Sequence, residues 1–354
     1  MGVGGCFLQV LVDYLTKRKH YVRIGNCSPT KLNITSGVPQ GSILAPVLFC
    51  FFIDELPNAF RNSYTLLFAD DLNFFTTTNN HVIIELELKR FQRWNKENQM
   101  LLAEGKNGFL EFRGSNSNFE LNTEILKLAE YMKDLGAFIC PDLTWNKRID
   151  EKLKKAVQTL YFVKRNTSFQ TNSLAKLCLY KSMILPIITY ASPCLHLSKQ
   201  SQAKIEVFQK RVLKWVLADY KSPYRILLEK SELLPLSLFL QILDLLHLSK
   251  LCQNDRQTPK LFEKLFNPRW LTSKFELPKV RTEKARTEFC FRTCRVANFL
   301  PPHVEFFNPI GLKKRLTAFY WNLFATRYTE NNSCTWHFAC DCHSCRNSWS
   351  LWTI

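Results

Sequence analysis

The chain has 354 residues, a formal net charge of +18 and an isoelectric point near 9.4. Hydrophobic residues make up 46% of it, so a core can form, and the length allows two or three domains. The positive charge is typical of proteins that bind nucleic acids or acidic surfaces. No uncharged apolar run reaches about eighteen residues, and the start lacks a charged signal-peptide head. We therefore expect no membrane span and an intracellular location, nuclear or cytoplasmic.

Apolar periodicity in the amino-terminal part predicts helices, strands and loops in alternation. We expect a helix over residues 10–19 and a strand over residues 21–25. A loop and a buried helix over residues 43–53 follow, and Pro57 ends that helix.

Two glycines mark the loop, which reads SGVPQGS from Ser36 to Ser42. Gly37 and Gly41 bracket Pro39, a pattern typical of a loop whose backbone comes close to a ligand. The alternative is an ordinary connection before a core helix.

Adjacent aspartates, Asp70 and Asp71, interrupt an apolar run from Leu66 to Phe75. The flanks predict a hairpin of two buried strands with both carboxylates at its tip. Like charges beside an apolar core are costly unless a cation neutralises them, and Mg²⁺ prefers oxygen ligands. A solvated turn without a ligand is the alternative, because Asp is common in turns.

Beyond the hairpin, Ile84, Leu88 and Phe91 recur at helical spacing and predict an amphipathic helix over residues 81–99. The chain becomes mainly helical after residue 146. The remaining predicted elements are strands over 109–112 and 137–140 and helices over 149–164, 174–190, 201–217, 222–230 and 236–253.

The loop at Ser36–Ser42, followed by FADD at Phe68–Asp71, resembles the palm of a reverse transcriptase from a non-LTR (LINE-type) retrotransposon. Further similar segments occur in the family's order: Leu15–Arg23, Trp94, Asn98, Lys106, Leu135–Phe138, Leu143–Trp145, Tyr180–Ser182, Pro186, Tyr190–Ser192 and Leu234–Leu236. The resemblance covers most of the chain. It implies an α+β fold, with an incomplete reverse-transcriptase palm followed by a helical thumb and a helical C-terminal region.

The resemblance also implies an activity, that of an RNA-directed DNA polymerase, a nucleotidyltransferase acting on a DNA primer and an RNA template with two Mg²⁺ ions. Asp70 and Asp71 would be the metal ligands. Lys106 resembles the residue proposed to protonate pyrophosphate, although a mobile loop lysine is the alternative. Leu135 and Gly136 would form the primer grip. The residues that would contact template and nucleotide are Ser36, Gly37, Gln40, Gly41, Phe68 and Ala69.

In this family a third catalytic carboxylate lies on a strand upstream of the glycine loop. Asp13 is the sole acidic residue before the loop here, and its segment Leu8–Leu15 matches the helix that follows that strand. The expectation is therefore an amino-terminally truncated, catalytically incomplete chain that does not polymerise alone. Another copy, or an upstream fragment supplied in trans, would complete the palm.

Positive charge is clustered in three places. The first cluster comprises Lys147, Arg148, Lys152, Lys154, Lys155, Lys164 and Arg165, the second Lys204, Lys210, Arg211 and Lys214, and the third runs from Lys279 to Arg295. The first five of these residues are expected to contact the phosphates of the primer–template duplex, with affinity that falls steeply with salt. Solvated helix faces are the alternative.

Thirteen cysteines without a paired pattern indicate a reducing compartment rather than a disulfide framework. Cysteines at short spacings crowd the tail and are candidate ligands of one Zn²⁺: Cys334, Cys340, Cys342 and Cys345. A tail of free thiols is the alternative. Cys290 and Cys294, one helical turn apart, are expected to be core thiols.

Four regions are expected: a partial palm (1–145), a helical thumb and connection (146–252), a basic helical region (253–330) and the cysteine-rich tail (331–354). Three interpretations stay open at this point. The chain is a reverse transcriptase fragment that keeps primer–template affinity, a domesticated nucleic-acid-binding protein without enzymatic activity, or a decayed remnant.

Overall fold

The computed structural model describes residues 4–25, 30–77, 80–103, 107–112, 119–121, 124–143, 145–168, 170–195, 198–253, 275–277, 279 and 288–327. Lys106 and the four tail cysteines lie outside these ranges. The described chain mixes helices and strands, as predicted. It divides into two units, residues 1–129 and residues 130–354.

The first unit contains short strand pairs, all antiparallel except the parallel pair β5–β7, and three helices among its described residues. Strand β1 pairs with β2, β3 pairs with β4, and β7 lies between β5 and β6. The elements are α1 (Gly5–Leu15), β1 (Arg18–His20), β2 (Leu32–Ile34), α2 (Leu44–Ile53), a 3₁₀ turn (Leu56–Ala59), β3 (Tyr64–Phe68), β4 (Asp71–Phe75), α3 (His81–Glu97), β5 (Gly108–Phe109), β6 (Phe119–Leu121) and β7 (Glu124–Leu128).

The first helix and strand are shifted toward the amino terminus relative to the prediction. Helix α1 ends at Leu15 because Thr16 is extended and Lys17 adopts a left-handed conformation, with φ of 54°. Strand β1 therefore begins at Arg18, in place of the strand expected over residues 21–25. Apolar periodicity places a helix but defines its ends poorly, since the end here depends on two backbone conformations.

Burial differs from the prediction at α2. The helix lies where it was expected, but only Ala45 and Ile53 are buried, whereas Val47, Phe51 and Phe52 are 44–52% exposed. The prediction of a buried helix is therefore wrong for most of its length. A continuous apolar run shows that a surface favours burial, but it does not show what covers that surface.

The core of the first unit lies between α3, the 3₁₀ turn and the short strands. The buried side chains of this cluster are Ile53, Leu56, Phe60, Leu88, Phe91, Phe119, Leu121 and Leu126. Leu88 and Phe91 belong to the apolar face that predicted α3, and the helix is confirmed.

The second unit begins with a hairpin and continues as helices. The hairpin falls in the region that was expected to belong to the palm, but it is part of this unit. Its elements are β8 (Met132–Asp134), β9 (Ala137–Ile139), α4 (Asn146–Asn166), α5 (Ser173–Leu179), α6 (Leu185–Thr189), a 3₁₀ turn (Ser192–Cys194), α7 (Lys199–Val216), α8 (Tyr224–Ser231), α9 (Leu236–Gln253), α10 (Phe289–Asn298), a 3₁₀ turn (Pro302–Val304) and α11 (Leu312–Arg327).

A wide π-helical turn, Tyr180–Ile184, joins α5 to α6 where the sequence predicts one uninterrupted helix. The Leu185 amide bonds to the Tyr180 carbonyl, five residues back. Pro186 explains the turn, because it has no amide proton to donate and its ring would clash with a carbonyl four residues earlier.

This helical run, Ser173–Cys194, is long and apolar enough to cross a membrane by length and composition alone, although no span was expected. About a fifth (22%) of its most apolar stretch is buried. Tyr180, Ile184 and Ile188 belong to a hydrophobic cluster of the second unit. Because core helices also pass such a test, the run is weak evidence for a span.

Two hydrophobic clusters share helix α9. One contains Leu236 and Leu240 of α9 with residues of α4, α6 and α7, and the other contains Ile242 and Leu245 with residues of α8, α10 and α11. Helix α9 therefore carries apolar residues on more than one side, as expected for a helix that packs in two clusters, and His247 and Lys250 in its second half are exposed.

Candidate functional site

The two aspartates lie at the tip of the predicted hairpin. Strands β3 and β4 pair in register from Tyr64 opposite Phe75 to Phe68 opposite Asp71. A two-residue connection, Ala69 and Asp70, closes the hairpin, with Ala69 at φ of 51°. Both carboxylates are exposed.

The hairpin is less buried than the sequence predicts. Leu67, Leu72 and Phe74 pack against the core cluster of the first unit. On the other face Leu66 and Phe68 are 58% and 64% exposed. One face of each strand is therefore covered and the other is open.

A magnesium site requires more oxygen ligands than this tip supplies. Carboxylates of Asp70 and Asp71 are the right ligand type for Mg²⁺. Within the described ranges, however, no group of three or more His, Cys, Asp or Glu side chains could hold a metal ion. Asp70 and Asp71 therefore stay predicted Mg²⁺ ligands, and the described residues do not group a third ligand with them.

A buried glutamate of α3 holds the chain just before β3. Glu87 is fully buried, and its carboxylate accepts hydrogen bonds from the Arg61 amide at 2.9 Å and the Asn62 amide at 3.3 Å. It also pairs with Arg90. Glu87 was not among the residues predicted from the sequence. The sequence feature that could have predicted its burial is an acidic residue on the apolar face of α3, beside Leu88.

The glycine loop is held by side chains of the preceding segment. Gly37 and Gly41 adopt positive φ values of 72° and 83°. An added Cβ would meet nothing within 4 Å at either position, so the backbone conformation is what requires glycine there. Arg18 donates to the carbonyls of Ser36 at 3.2 Å and Gly37 at 2.5 Å. The loop with its predicted residues Ser36 and Gln40 is solvent-exposed.

The hairpin and the glycine loop both lie inside a segment that is similar to known proteins. Residues 2–119 match the family model described as reverse transcriptase (RNA-dependent DNA polymerase). The matched residues carry a reverse transcriptase domain. The predicted resemblance to reverse transcriptases of non-LTR retrotransposons is confirmed, since the relatives are named as RNA-directed DNA polymerases of the transposon X-element and the mobile element jockey.

One relative is a probable RNA-directed DNA polymerase from transposon X-element of Drosophila melanogaster, 24% identical over 225 residues, or 59% of this chain and 25% of the relative. Another is the RNA-directed DNA polymerase from mobile element jockey of Drosophila funebris, 25% identical over 226 residues, or 58% of this chain and 24% of the relative. The chain thus spans about a quarter of the length of these curated relatives. No solved structure matches.

Within the second unit, the predicted primer-grip residues form the turn between β8 and β9. Leu135 and Gly136 both have positive φ, at 44° and 80°. The Tyr190 hydroxyl donates to the Leu135 carbonyl at 2.6 Å. A Cβ added at Gly136 would lie 3.5 Å from Cε1 of Tyr190. The tyrosine therefore packs on the turn and hydrogen-bonds to it.

Two of the cations predicted to contact phosphates instead contact carbonyl groups of the second unit. Arg148 is 1% exposed and lies against the ring of Trp145, with a long hydrogen bond of 3.4 Å to the Ala191 carbonyl. Lys152 donates to the carbonyls of Ile188, at 3.1 Å, and Tyr190. Burial, with a smaller contribution from Arg148, lowers the pKa of Lys152 to about 7. Neither side chain belongs to the exposed basic surface.

The other three predicted contacts, Lys147, Lys154 and Lys155, are exposed on α4. Lys147 lies 3.2 Å from the ring centroid of Tyr131, beside the hairpin. These three lysines form what we call the α4 lysine face.

In the other two predicted clusters, too, some cations pair with carboxylates of the unit and others are exposed. Lys204 pairs with Asp150 at 2.6 Å, and Arg292, from the third cluster, pairs with Asp244 at 2.9 Å. Lys279 is exposed. Cys294 is fully buried, as expected of a core thiol, and burial raises the pKa of its thiol and of the Cys290 thiol.

Proposed function

We propose that this chain is part of the reverse transcriptase of a non-LTR retroelement, that it binds primer–template duplex, and that residues 1–354 alone do not polymerise. The observation that carries the proposal is the Asp70–Asp71 hairpin tip within a segment that matches the reverse transcriptase family. The family uses divalent metal ions, and phosphoryl transfer of this kind depends on positioning and charge compensation by the metal site.

The proposed inactivity is supported by the small number of metal ligands at the hairpin tip. Asp70 and Asp71 are not grouped with a third ligand anywhere in the described ranges. Two carboxylates on one exposed turn hold the ions from one side only. A third carboxylate, bridging both ions, would have to come from outside the described ranges.

Support for a completing partner comes from the open face of the hairpin. Tyr64, Leu66 and Phe68 are 58–64% exposed along one strand. Apolar strand surfaces of this kind favour association with another chain. We propose that a second copy, or an upstream palm segment, covers this face and supplies the missing ligand.

Duplex binding is assigned to the α4 lysine face. Lys154 and Lys155 are exposed, and neither forms an ion pair within the described part of the chain. Lysines in this state can neutralise backbone phosphates without sequence preference. The same face also favours the second candidate, a nucleic-acid-binding protein without enzymatic activity.

Primer extension on an RNA template with Mg²⁺, run beside a duplex-binding assay, tests the proposal. We expect no extension by the wild-type chain or by Asp70→Ala. We expect a salt-dependent duplex shift that Lys154→Gln/Lys155→Gln weakens and Asp70→Ala does not. Extension by the wild type that Asp70→Ala abolishes would overturn the proposed inactivity. Absence of any duplex shift at low salt would overturn the binding proposal.

A further inference from the structure

Helices α4 and α7 bring cations and aromatic rings together C-terminal to the α4 lysine face. The Lys164 ammonium lies 6.0 Å from the ring centroid of Tyr161 and 5.7 Å from that of Trp215. The Arg211 guanidinium lies 5.5 Å from the Tyr161 ring and donates a hydrogen bond to its hydroxyl. We call these four residues the cation–aromatic cluster.

The cluster carries two positive charges without a neighbouring carboxylate. Among the described residues, neither Lys164 nor Arg211 forms an ion pair, whereas Lys204 on the same helix α7 pairs with Asp150. Burial first, and the charge of Arg211 second, lower the pKa of Lys164. A third cation, Lys176 of α5, lies 5.8 Å from the Trp215 ring. Like charges held this close favour a bound anion.

The aromatic surface of the cluster is open to solvent and held in place. Tyr161 is 44% exposed, and Phe162, next to it on α4, is 52% exposed. The hydrogen bond from Arg211 restricts the orientation of the Tyr161 ring. Aromatic faces next to backbone-binding cations are the usual platform for unpaired bases. The bases of a duplex are stacked on one another and cannot reach such a ring.

We propose that the cation–aromatic cluster binds single-stranded nucleic acid, with Lys164 and Arg211 on a phosphate and an unpaired base stacked on Tyr161. The inference rests on the proposed function, which already gives this unit an affinity for nucleic acid. It adds that the two sites bind different forms of nucleic acid: the α4 lysine face binds duplex and the cluster binds a single strand. RNA and DNA share the chemistry involved, so both are probes.

The test compares two matched double variants of the full chain: Lys164→Gln/Arg211→Gln in the cluster and Lys154→Gln/Lys155→Gln on the lysine face. Each removes two positive charges, and each is measured by fluorescence anisotropy with single-stranded RNA, single-stranded DNA and a blunt duplex. We expect the cluster variant to lose roughly tenfold or more in single-strand affinity, with duplex affinity changed by less than about threefold. The lysine-face variant should show the reverse.

Two further readouts separate binding from a structural role. Tyr161→Ala should weaken single-strand binding by roughly tenfold, whereas Tyr161→Phe, which keeps the ring, should weaken it by less than about threefold. In the cluster double variant, the slope of log affinity against log salt for a single strand should fall by about 0.7, because the contact to one phosphate is lost.

Equal losses for both double variants on all probes, or unchanged single-strand affinity in the cluster variant, would overturn the inference. If the wild type binds duplex and these variants leave single-strand binding intact, the inference alone fails. A wild type that binds no probe at low salt overturns both this inference and the proposed function.

Discussion

Tyr190 lies 55 positions after Leu135 in the chain, yet its hydroxyl donates to the Leu135 carbonyl. The backbone of Tyr190 is itself held, because its carbonyl accepts from Lys152. The turn at Leu135 and Gly136, which is predicted to be the primer grip and has two successive positive φ values, is thus connected to helix α4 through Tyr190. A turn in this conformation is costly for Leu135, so the contact that stabilises it matters.

Tyr190→Phe removes this hydrogen bond and keeps the ring. We expect the turn to be destabilised locally by about 1 kcal/mol, because one net hydrogen bond is lost and one carbonyl loses its partner. Amide hydrogen exchange should become faster across residues 132–139, with little change in the melting temperature.

The control is Tyr220→Phe, because Tyr220 is 64% exposed and its hydroxyl makes no hydrogen bond within the described part of the chain. If both variants leave exchange across the hairpin unchanged, the hydroxyl of Tyr190 does not support the turn.

Sequence reasoning located Asp70 and Asp71 because two like charges within an apolar run have few explanations. It could not separate Arg148 from Lys154. Both are basic residues of one amphipathic helix, and the difference depends on a carbonyl 43 residues away from Arg148. The contact between Tyr190 and Leu135 could not be predicted for the same reason, because it joins residues that are far apart in the sequence and exists only in the folded chain.

Helices α9 and α10 are joined by a partly buried ion pair in addition to their apolar packing. Arg292 donates to Asp244 at 2.9 Å and to the Pro193 carbonyl at 3.1 Å, so it also reaches the turn after α6. Asp244 is 8% exposed. Its burial raises the pKa to about 6 although Arg292 acts to lower it. The carboxylate therefore costs stability once it is ionised.

Arg292→Met is expected to destabilise the fold by about 3–5 kcal/mol at neutral pH, because it leaves a buried carboxylate without its partner. A raised pKa in the folded state means that stability falls as pH rises through that pKa. The wild type should lose stability between about pH 4 and 6. In the variant the pKa of Asp244 rises further, so the loss should continue above pH 6. Urea unfolding at pH 5 and pH 8 measures the difference.

The double variant Asp244→Asn/Arg292→Met serves as the control. It should recover part of the stability and lose the dependence on pH that Asp244 causes. An Arg292→Met chain that is equally stable at both pH values would contradict this account of the pair.

At the level of elements, the sequence predicted helices α4, α7 and α9 closely because their apolar periodicity is long. The short strands β6, β7 and β8 were missed, since three to five residues carry too little periodicity. The π-turn was missed although Pro186 was visible. Proline signals a disturbed helix, but the neighbouring contacts decide whether the helix stops or widens.

On the scale of the whole molecule, each hydrophobic cluster lies within one of the two units. The second unit contains two clusters, and the first contains one small cluster and a large exposed apolar surface. Helix α1 has no buried residue at all. The two units should therefore differ in how well they fold alone.

We expect residues 130–354, expressed alone, to be monomeric and to unfold cooperatively. Residues 1–129 alone should associate, because exposed apolar surface of this extent favours contact with other chains. Co-expression with a palm segment that supplies the upstream strand should lower that association. Light scattering and thermal unfolding measure both outcomes.

Residues 130–354 provide the control, since their solubility should not respond to the palm segment. A monomeric, cooperatively melting 1–129 fragment, or no response to co-expression, would contradict the expected need for a covering partner.

The start of helix α9 is capped by another helix. Glu206 of α7 accepts from the Ser237 amide at 2.8 Å, and Gln209 accepts from the Leu236 amide at 3.0 Å. On the ribosome α7 emerges first, so its side chains are ready when the first turn of α9 is made. Because α9 contributes to both clusters, the cluster that contains α4, α6 and α7 can close during synthesis as soon as α9 has emerged, before α10 and α11 are available to complete the other cluster.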